Sequence, residues 1–548
     1  MKKILFNAAA VLSATLILAT GCIKETLPMG ATQTATQVAK SEGALKAMVN
    51  AIPVSMMASY SIGYTDDHTD FGLGAVHVWL DFNLDMIATV GSNPYYNRFQ
   101  SCQMFRNLGD QYQYCAYFWD AYYMWIKAAN DIISIIDQEN LTEETRGYLA
   151  MAYTYRAMCY LDLARLYEPK EPGVPYENYN IAPVKGLTVP IVTEDITEEK
   201  AKNNPRAKHA DIYAFILSDL ENAVKNFEGL TFDYTHPSLY AAYGLMARTY
   251  LEMGACGDEG AYAKAAEYAK KVIDESGNTP LTQAQWEDPK TGFNSGTTNK
   301  SWIWGLTLAS ENVHNLSTFI SHMSNEAQYG YASYAHIACD KALYESISDN
   351  DWRKHSWMDP KRMAFYKYKF AAGDDGKWFL GHFDEDYISL KFRPAQGAVS
   401  DYKVGNAAEK PLMRIEEMYF IEAEALAMDG KLPEAKAVLE SLIKTRNSAY
   451  TCNAASTELF MNDLVLQKKI EFWGEGILPF DYKRLGLSIT KGYEGTNHAE
   501  VYRYNTVGRS PALNLVITRV EYQSNTGITP ELNNPDPSGK VKQWTENK

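Results

Sequence analysis

Cysteine is scarce in this chain, seven residues in 548, with no CxxC pair and no regular spacing. A chain of this length needs no disulfide staple, so the six cysteines after Cys22 are expected to be mostly buried thiols. Cys102 and Cys115 are the one pair that could join. Positive charge is also short: 52 lysines and arginines face 67 aspartates and glutamates, a net charge of -15. Such an acidic surface excludes nucleic acid and anionic lipid as natural partners. No apolar run after the N-terminal segment approaches the roughly 20 residues a bilayer requires, so nothing beyond that segment is expected to span a membrane. Also missing are GxSxG, HExxH, a P-loop, and a GxGxxG set between a strand and a helix. The length would allow three or four domains of ordinary size.

What is present begins at the N-terminus. Lys2 and Lys3 precede a short apolar stretch from Ile4 to Ala19, then the small residues Ala19-Thr20-Gly21, then Cys22. That order is a secretory signal, too short to span a bilayer. The cysteine directly after Gly21 makes it a lipoprotein signal over 1–21, with Cys22 acylated as the mature N-terminus and 22–40 as a flexible linker. A leucine usually stands three residues before such a cysteine; here that place holds Ala19, with Leu18 one position away. Lys24-Glu25 resembles the short charged tag that directs lipoproteins to the outer face of an outer membrane. Loss of Lys2 and Lys3 moves the net charge from -15 to -17.

Internal repetition sets the expected architecture. YGLMARTYLEMGACGDEGAYAKAAEYAKKVI and YFIEAEALAMDGKLPEAKAVLESLI share one grammar. Tyr243 and Tyr419 are each followed four residues later by Ala247 and Ala423, then by Gly254 and Gly430, then by a segment with Ala265 and Ile273, or Ala435 and Ile443. Small residues let two helices approach, and the glycine is expected to end the first helix in a left-handed turn. This is the tetratricopeptide pattern. Phe118–Ile136 with Thr145–Tyr167, and Ala207–Phe227 with Leu239–Met253, supply further amphipathic partners. Hairpins are thus expected at about 116–168, 208–275 and 412–486, within one body over 41–548. Residues 276–410 differ, being rich in Gly, Asn, Asp, Ser and aromatics, with short β-like runs at Ser301-Trp302-Ile303-Trp304 and Tyr387-Ile388-Ser389-Leu390. Long irregular insertions on a helical scaffold usually carry the function.

Six blocks then carry a resemblance. They are Tyr155-Arg156-Ala157 through Leu166-Tyr167; Val189-Pro190-Ile191-Val192; Ile212-Tyr213 through Ser218-Asp219-Leu220; Arg414-Ile415-Glu416-Glu417 with Glu422-Ala423-Glu424-Ala425; Glu471-Phe472-Trp473-Gly474-Glu475-Gly476 with Phe480-Asp481-Tyr482-Lys483-Arg484; and Ile528-Thr529-Pro530-Glu531-Leu532. In this order, over about 110–540, the chain resembles the SusD/RagB family of outer-membrane nutrient-binding lipoproteins. Leu478 departs from the pattern, which often has arginine after the Glu-Gly. The resemblance implies a mostly α, SusD-like fold, with four tetratricopeptide-type helical hairpins on one side and an irregular, loop-rich face with short strands on the other. It implies a SusC-like TonB-dependent transporter as partner, a glycan ligand or in some members a peptide, an outer-membrane lipid anchor, and no catalysis; the residues themselves assign no cofactor and no metal ligand. A helical-repeat scaffold that binds only proteins is the alternative of another class.

The best catalytic suspects, Glu471 and Glu475, stand one helical turn apart. Glycosidase carboxylates must flank a sugar from opposite sides, so these two are expected to pair with Arg484 or to cap helices. Asp66, Asp67, His68 and Asp70, and Asp384, Glu385 and Asp386, are acidic clusters without calcium-loop spacing, and are expected to be solvated turns. Ligand binding asks for aromatic faces beside amide, carboxylate or guanidinium groups. Two irregular stretches offer them: Tyr95, Tyr96, Asn97 and Arg98; and His314 through His322 to Gln328, Tyr329, Tyr331 and Tyr334. One of Trp302 and Trp304 is expected to be core, as are Trp119, Trp125 and Trp473. Cys22→Ala is expected to move the protein from the membrane fraction to the soluble fraction; retention of the variant in membranes contradicts acylation at Cys22.

Overall fold

The helical period of the repeat segments resolves into a row of long helices. The computed structural model describes residues 41–546, apart from 64–67, 91–96, 360–368, 374–375 and 384; Cys22, Tyr95, Tyr96, Asp66, Asp67 and Asp384 therefore lie outside the described residues. Helices α1 (Glu42–Ser55) and α2 (Leu73–Phe82) precede strand β1 (Ile87–Val90) and α3 (Asn97–Gln103). Then come α4 (Gln113–Ile135), α5 (Glu143–Tyr167), α6 (His209–Phe227), α7 (Leu239–Cys256) and α8 (Ala261–Glu275). The irregular region contributes β2 (Trp302–Leu306), α9 (Phe319–Met323), β3 (His336–Cys339) and α10 (Lys377–His382). The chain returns to helix through β4 (Lys410–Arg414), α11 (Ile415–Met428), α12 (Leu432–Ile443), α13 (Thr457–Glu471) and α14 (Leu478–Leu485). Each long helix from α4 to α8 packs on the next, α8 packs on α11, and α12 and α13 complete the row.

Local chemistry explains the hairpins. Thr142 and Thr145 form a reciprocal capping box at the start of α5, satisfying backbone donors that the first turn leaves free. Ala247, Ala265, Ala423 and Ala435 are completely buried where the helices meet, as the small-residue pattern requires. The two glycines of the repeat behave differently. Gly430 takes the left-handed conformation, φ 79°, just beyond α11. Gly254 instead lies inside α7, which runs on to Cys256 and ends at the left-handed Gly257, φ 97°. A side chain on Gly254 would meet the Tyr262 ring at 2.8 Å, so this glycine serves close packing and not termination.

Charges in the repeated motifs join consecutive helices. Arg156 of α5 donates to Asp219 of α6 through two bonds of 2.7 Å. Burial pushes the Asp219 carboxyl up to about 6 while Arg156 pulls the other way. Arg248 of α7 grips Glu417 of α11 through two bonds of 2.6 Å.

The strands form two antiparallel pairs, β1 with β3 and β2 with β4. Trp302 and Trp304 are both buried, because β2 is covered on two sides: Trp302 meets Tyr234 and Phe293, and Trp304 meets Tyr155. Residues 387–390 make only single bridges, Ala338 to Ile388 and Trp357 to Ser389. Cys102 and Cys115 are separate buried thiols, donating to the carbonyls of Phe99 and Leu108; burial pushes Cys102 up to about 12.

Beneath the strands lies a buried ion network. Glu471 accepts from Arg353 at 3.1 Å, from Arg414 at 3.2 Å and from Arg446 at 3.0 Å. Glu475 accepts from Arg414 at 2.9 Å and from Lys391 at 2.7 Å. Glu416 and Asp351 complete it through Arg446, Arg414 and Arg353. Burial opposes ionisation of Glu471, but the three guanidiniums prevail and hold its carboxyl far below the usual range. Arg484, the partner expected from sequence, instead binds Glu424 and Asp481. The reason is distance along the chain: the arginines that reach Glu471 come from the irregular region, from β4 and from the turn after α12. Removing one member of a buried ion set costs about 3–5 kcal/mol, whereas an exposed substitution falls within about 0.5 kcal/mol. Glu471→Gln is therefore expected to lower unfolding free energy by about 3–5 kcal/mol, and exposed Glu434→Gln to change little, in urea denaturation followed by circular dichroism. A loss below about 1 kcal/mol for Glu471→Gln contradicts the assignment.

Candidate functional site

The β1–β3 pairing sets the end of β1 beside the start of β3. Val90, the last residue of β1, is opposite His336, the first of β3. The chain thus leaves β1 beside the point where the loop 329–335 enters β3. Residues 387–390 lie along the other side of β3, the Cys339 and Ser389 amides each donating across the gap at 2.9 Å. Behind them sits a separate apolar cluster of Met358, Phe370, Phe379, Phe383, Ile388 and Leu390, with Trp378 packed on its margin. That cluster sets α10 against the loop: His382 Nε2 donates to the Ser333 carbonyl at 2.9 Å.

The residues singled out from sequence divide by role. Tyr95 and Tyr96 lie outside the described residues, and Asn97 and Arg98 open α3. His322 is fully buried, stacked on Phe71 at 4.5 Å and against Tyr331 at 4.4 Å, its Nδ1 donating to the Thr318 carbonyl at 2.7 Å. Burial pushes its imidazole down to about 3. Tyr331 is buried too, its hydroxyl sharing a hydrogen bond with His68. These two residues hold the loop from below and do not face solvent. Tyr329 is half-buried, near Tyr402. Tyr334 is the outward ring, 70% exposed, and His314 is exposed as well. Asp70 is not on a solvated turn: it is buried and accepts from the Ile62 amide at 3.2 Å and the Tyr117 hydroxyl at 3.0 Å.

Sequence reasoning passed over the short helix α10. Its Trp378 and His382 stack at 4.8 Å with planes 16° apart. His382 is exposed, Trp378 is half-buried, and His336 lies 6.0 Å from His382 while its Nδ1 bonds Glu385 at 2.9 Å. The available signal was the i, i+4 spacing of Trp378 and His382 just after Gly376. Together Tyr334, Trp378, His382, His336 and Glu385 make a face with flat rings beside imidazole and carboxylate groups. That mixture suits ligands with apolar C–H faces and hydroxyl edges. Elsewhere a cavity of about 560 Å³ opens among Gln283, Asp349, Asn350, Trp352, His355 and Lys444; no residue singled out for ligand binding lines it.

Comparison with known proteins bears on the family and the fold. Residues 82–251 match the family model described as starch-binding, associating with outer membrane, and residues 305–522 match that of the SusD family. A SusD-like carbohydrate binding protein from Bacteroides vulgatus is similar in structure, with TM-score 0.68 and 19% identity over 90% of this chain and 98% of that one. A SusD superfamily protein from Bacteroides thetaiotaomicron gives TM-score 0.65 and 19% identity over 90% and 100%. A laminarin binding SusD-like protein gives 0.62 and 17% over 90% and 98%. No curated protein matches the chain.

The neutral His322 yields a pH test. It is uncharged in the fold down to about pH 3, whereas the unfolded chain protonates it below about 6.5. Its contribution is therefore intact above pH 6.5 and lost as pH falls. Between pH 8 and pH 5 the wild type is expected to lose about 2 kcal/mol more than His322→Phe; parallel stability profiles contradict a buried neutral imidazole.

Proposed function

The chain belongs to the SusD/RagB family, and on that premise we propose that it captures oligosaccharides at a cell surface and passes them to a SusC-like TonB-dependent transporter. The observation that carries the reading is the face at the end of β1 and β3. There Tyr334, 70% exposed, follows Ser333, which is bonded to His382 of the Trp378–His382 stack, beside the His336–Glu385 pair. Sugar C–H faces pack on such rings while hydroxyls bond to the imidazole and carboxylate. Tyr95, Tyr96, Asn97 and Arg98, which follow β1 in the sequence, are taken as further ligand contacts in this reading.

The protein acts by binding and not by catalysis in this reading. Its paired carboxylates, Glu471 and Glu475, are buried and committed to arginine and lysine partners, so neither is free to attack or protonate a sugar. Acyl chains on Cys22 hold it to the outer membrane, 22–40 is the tether, and 41–548 is the body. Within the described residues no helix is long and apolar enough to cross a membrane, which accords with a lipid anchor.

Affinity electrophoresis through gels cast with a panel of polysaccharides tests the proposal. One glycan is expected to retard the protein. Trp378→Ala with Tyr334→Ala, and separately Tyr95→Ala with Tyr96→Ala, are expected to weaken retardation at least tenfold while the thermal midpoint stays nearly fixed. Retardation unchanged in both double variants contradicts the site. No retardation by any glycan contradicts the ligand class and turns the reading toward peptides.

A further inference from the structure

On the helical side, far from the glycan face in sequence, the ends of three helices converge. Glu168, directly after α5, His209, the first residue of α6, and Cys256, the last of α7, place a carboxylate oxygen, an imidazole nitrogen and a sulfur all within 4.8 Å of one another. His209 Nδ1 lies 3.0 Å from Glu168 Oε2. The ring is held from two other directions: Tyr213 packs on it at 4.4 Å, and Asp258 Oδ2 is 3.4 Å from Nε2. A metal-bound histidine has this form, one nitrogen on the ion and the other donating to a carboxylate that fixes the tautomer. Zinc bonds of about 2.0 Å to nitrogen or oxygen and 2.3 Å to sulfur put neighbouring donors about 3.3–3.5 Å apart, within reach of small side-chain shifts here.

Lys170 marks where positive charge is wanted. Its ammonium lies 2.9 Å from Cys256 Sγ and 3.5 Å from Glu168 Oε1. Glu252 of α7, Lys483 of α14 and Arg509 also act on this group of charges. A divalent cation can take the place of the ammonium, since thiolate, carboxylate and imidazole together suit a borderline-soft ion better than an ammonium does. We propose that Glu168, His209 and Cys256 form a site for a zinc-like divalent cation, with Asp258 orienting His209 and Lys170 as the counter-ion that the metal displaces. On binding, the Cys256 thiol gives its proton to solvent and the Lys170 side chain swings out.

The test is a Zn²⁺ titration of the full chain, solubilised in detergent, in competition with a chromogenic chelator. One equivalent is expected to bind. Cys256→Ser and His209→Ala should each weaken it at least tenfold, and Lys170→Met should tighten it about tenfold. Cd²⁺ is expected to give a thiolate-to-metal charge-transfer band that is lost in Cys256→Ser, a substitution that barely changes side-chain size. Equal Zn²⁺ affinity in wild type and Cys256→Ser, or a Cd²⁺ band that survives that substitution, overturns the site. Neither readout involves a glycan, so failure here leaves the glycan reading untouched.

Discussion

The contact on which the rest of the structure depends is the buried meeting of Glu471 and Glu475 with Arg353, Lys391, Arg414 and Arg446. Two of these cations, Arg353 and Lys391, come from the irregular region; Arg414 ends β4, and Arg446 follows α12. The carboxylates come from the end of α13 and the turn after it. One set of charges therefore ties the loop-rich face to the helical row. Such a set adds little net stability compared with a well-packed apolar core, because desolvation offsets much of the Coulomb attraction. What it does supply is specificity: an approach that left one guanidinium unpaired would bury an uncompensated charge, so the loops have one way to sit. Lys391 immediately follows the 387–390 segment beside β3, which connects the network to the candidate glycan face.

How far the sequence disclosed this follows the range of the interactions. Helices α4 to α8 and α11 to α13 were legible because their apolar and small residues recur at helical spacing, and the stop at Gly430 is a local signal. Gly254 misled because the same glycine grammar served helix packing in one copy and termination in the other. Glu471 and Glu475 stood out as a pair, yet Arg353 and Arg446 lie 118 and 25 residues away along the chain, with nothing local to join them. The nearest arginine in sequence, Arg484, was the wrong partner because it faces Glu424 across the row.

The face itself was half legible. Aromatic residues in an irregular stretch pointed to 314–334, but alternation along a loop says nothing of which rings turn inward. His322 and Tyr331 are interior supports, stacked with Phe71 and bonded to Thr318 and His68, whereas Tyr334 three residues on is open. Trp378 and His382 escaped notice because they sit in a helix of six residues, too short for periodicity to register. The Phe379–Phe383–Ile388 cluster, which includes Ala338 of β3, and the His382–Ser333 bond bring them to the loop.

Hydrogen–deuterium exchange of the full protein, with and without the oligosaccharide of a retarding glycan, tests the placement of the binding face most directly. Slowed exchange in 91–98, 329–336 and 376–385, with α4 to α8 unchanged, is the expected result. Protection confined instead to 280–283, 349–352 and 444–448 would place the ligand in the 560 Å³ cavity and contradict the site at the end of β1 and β3.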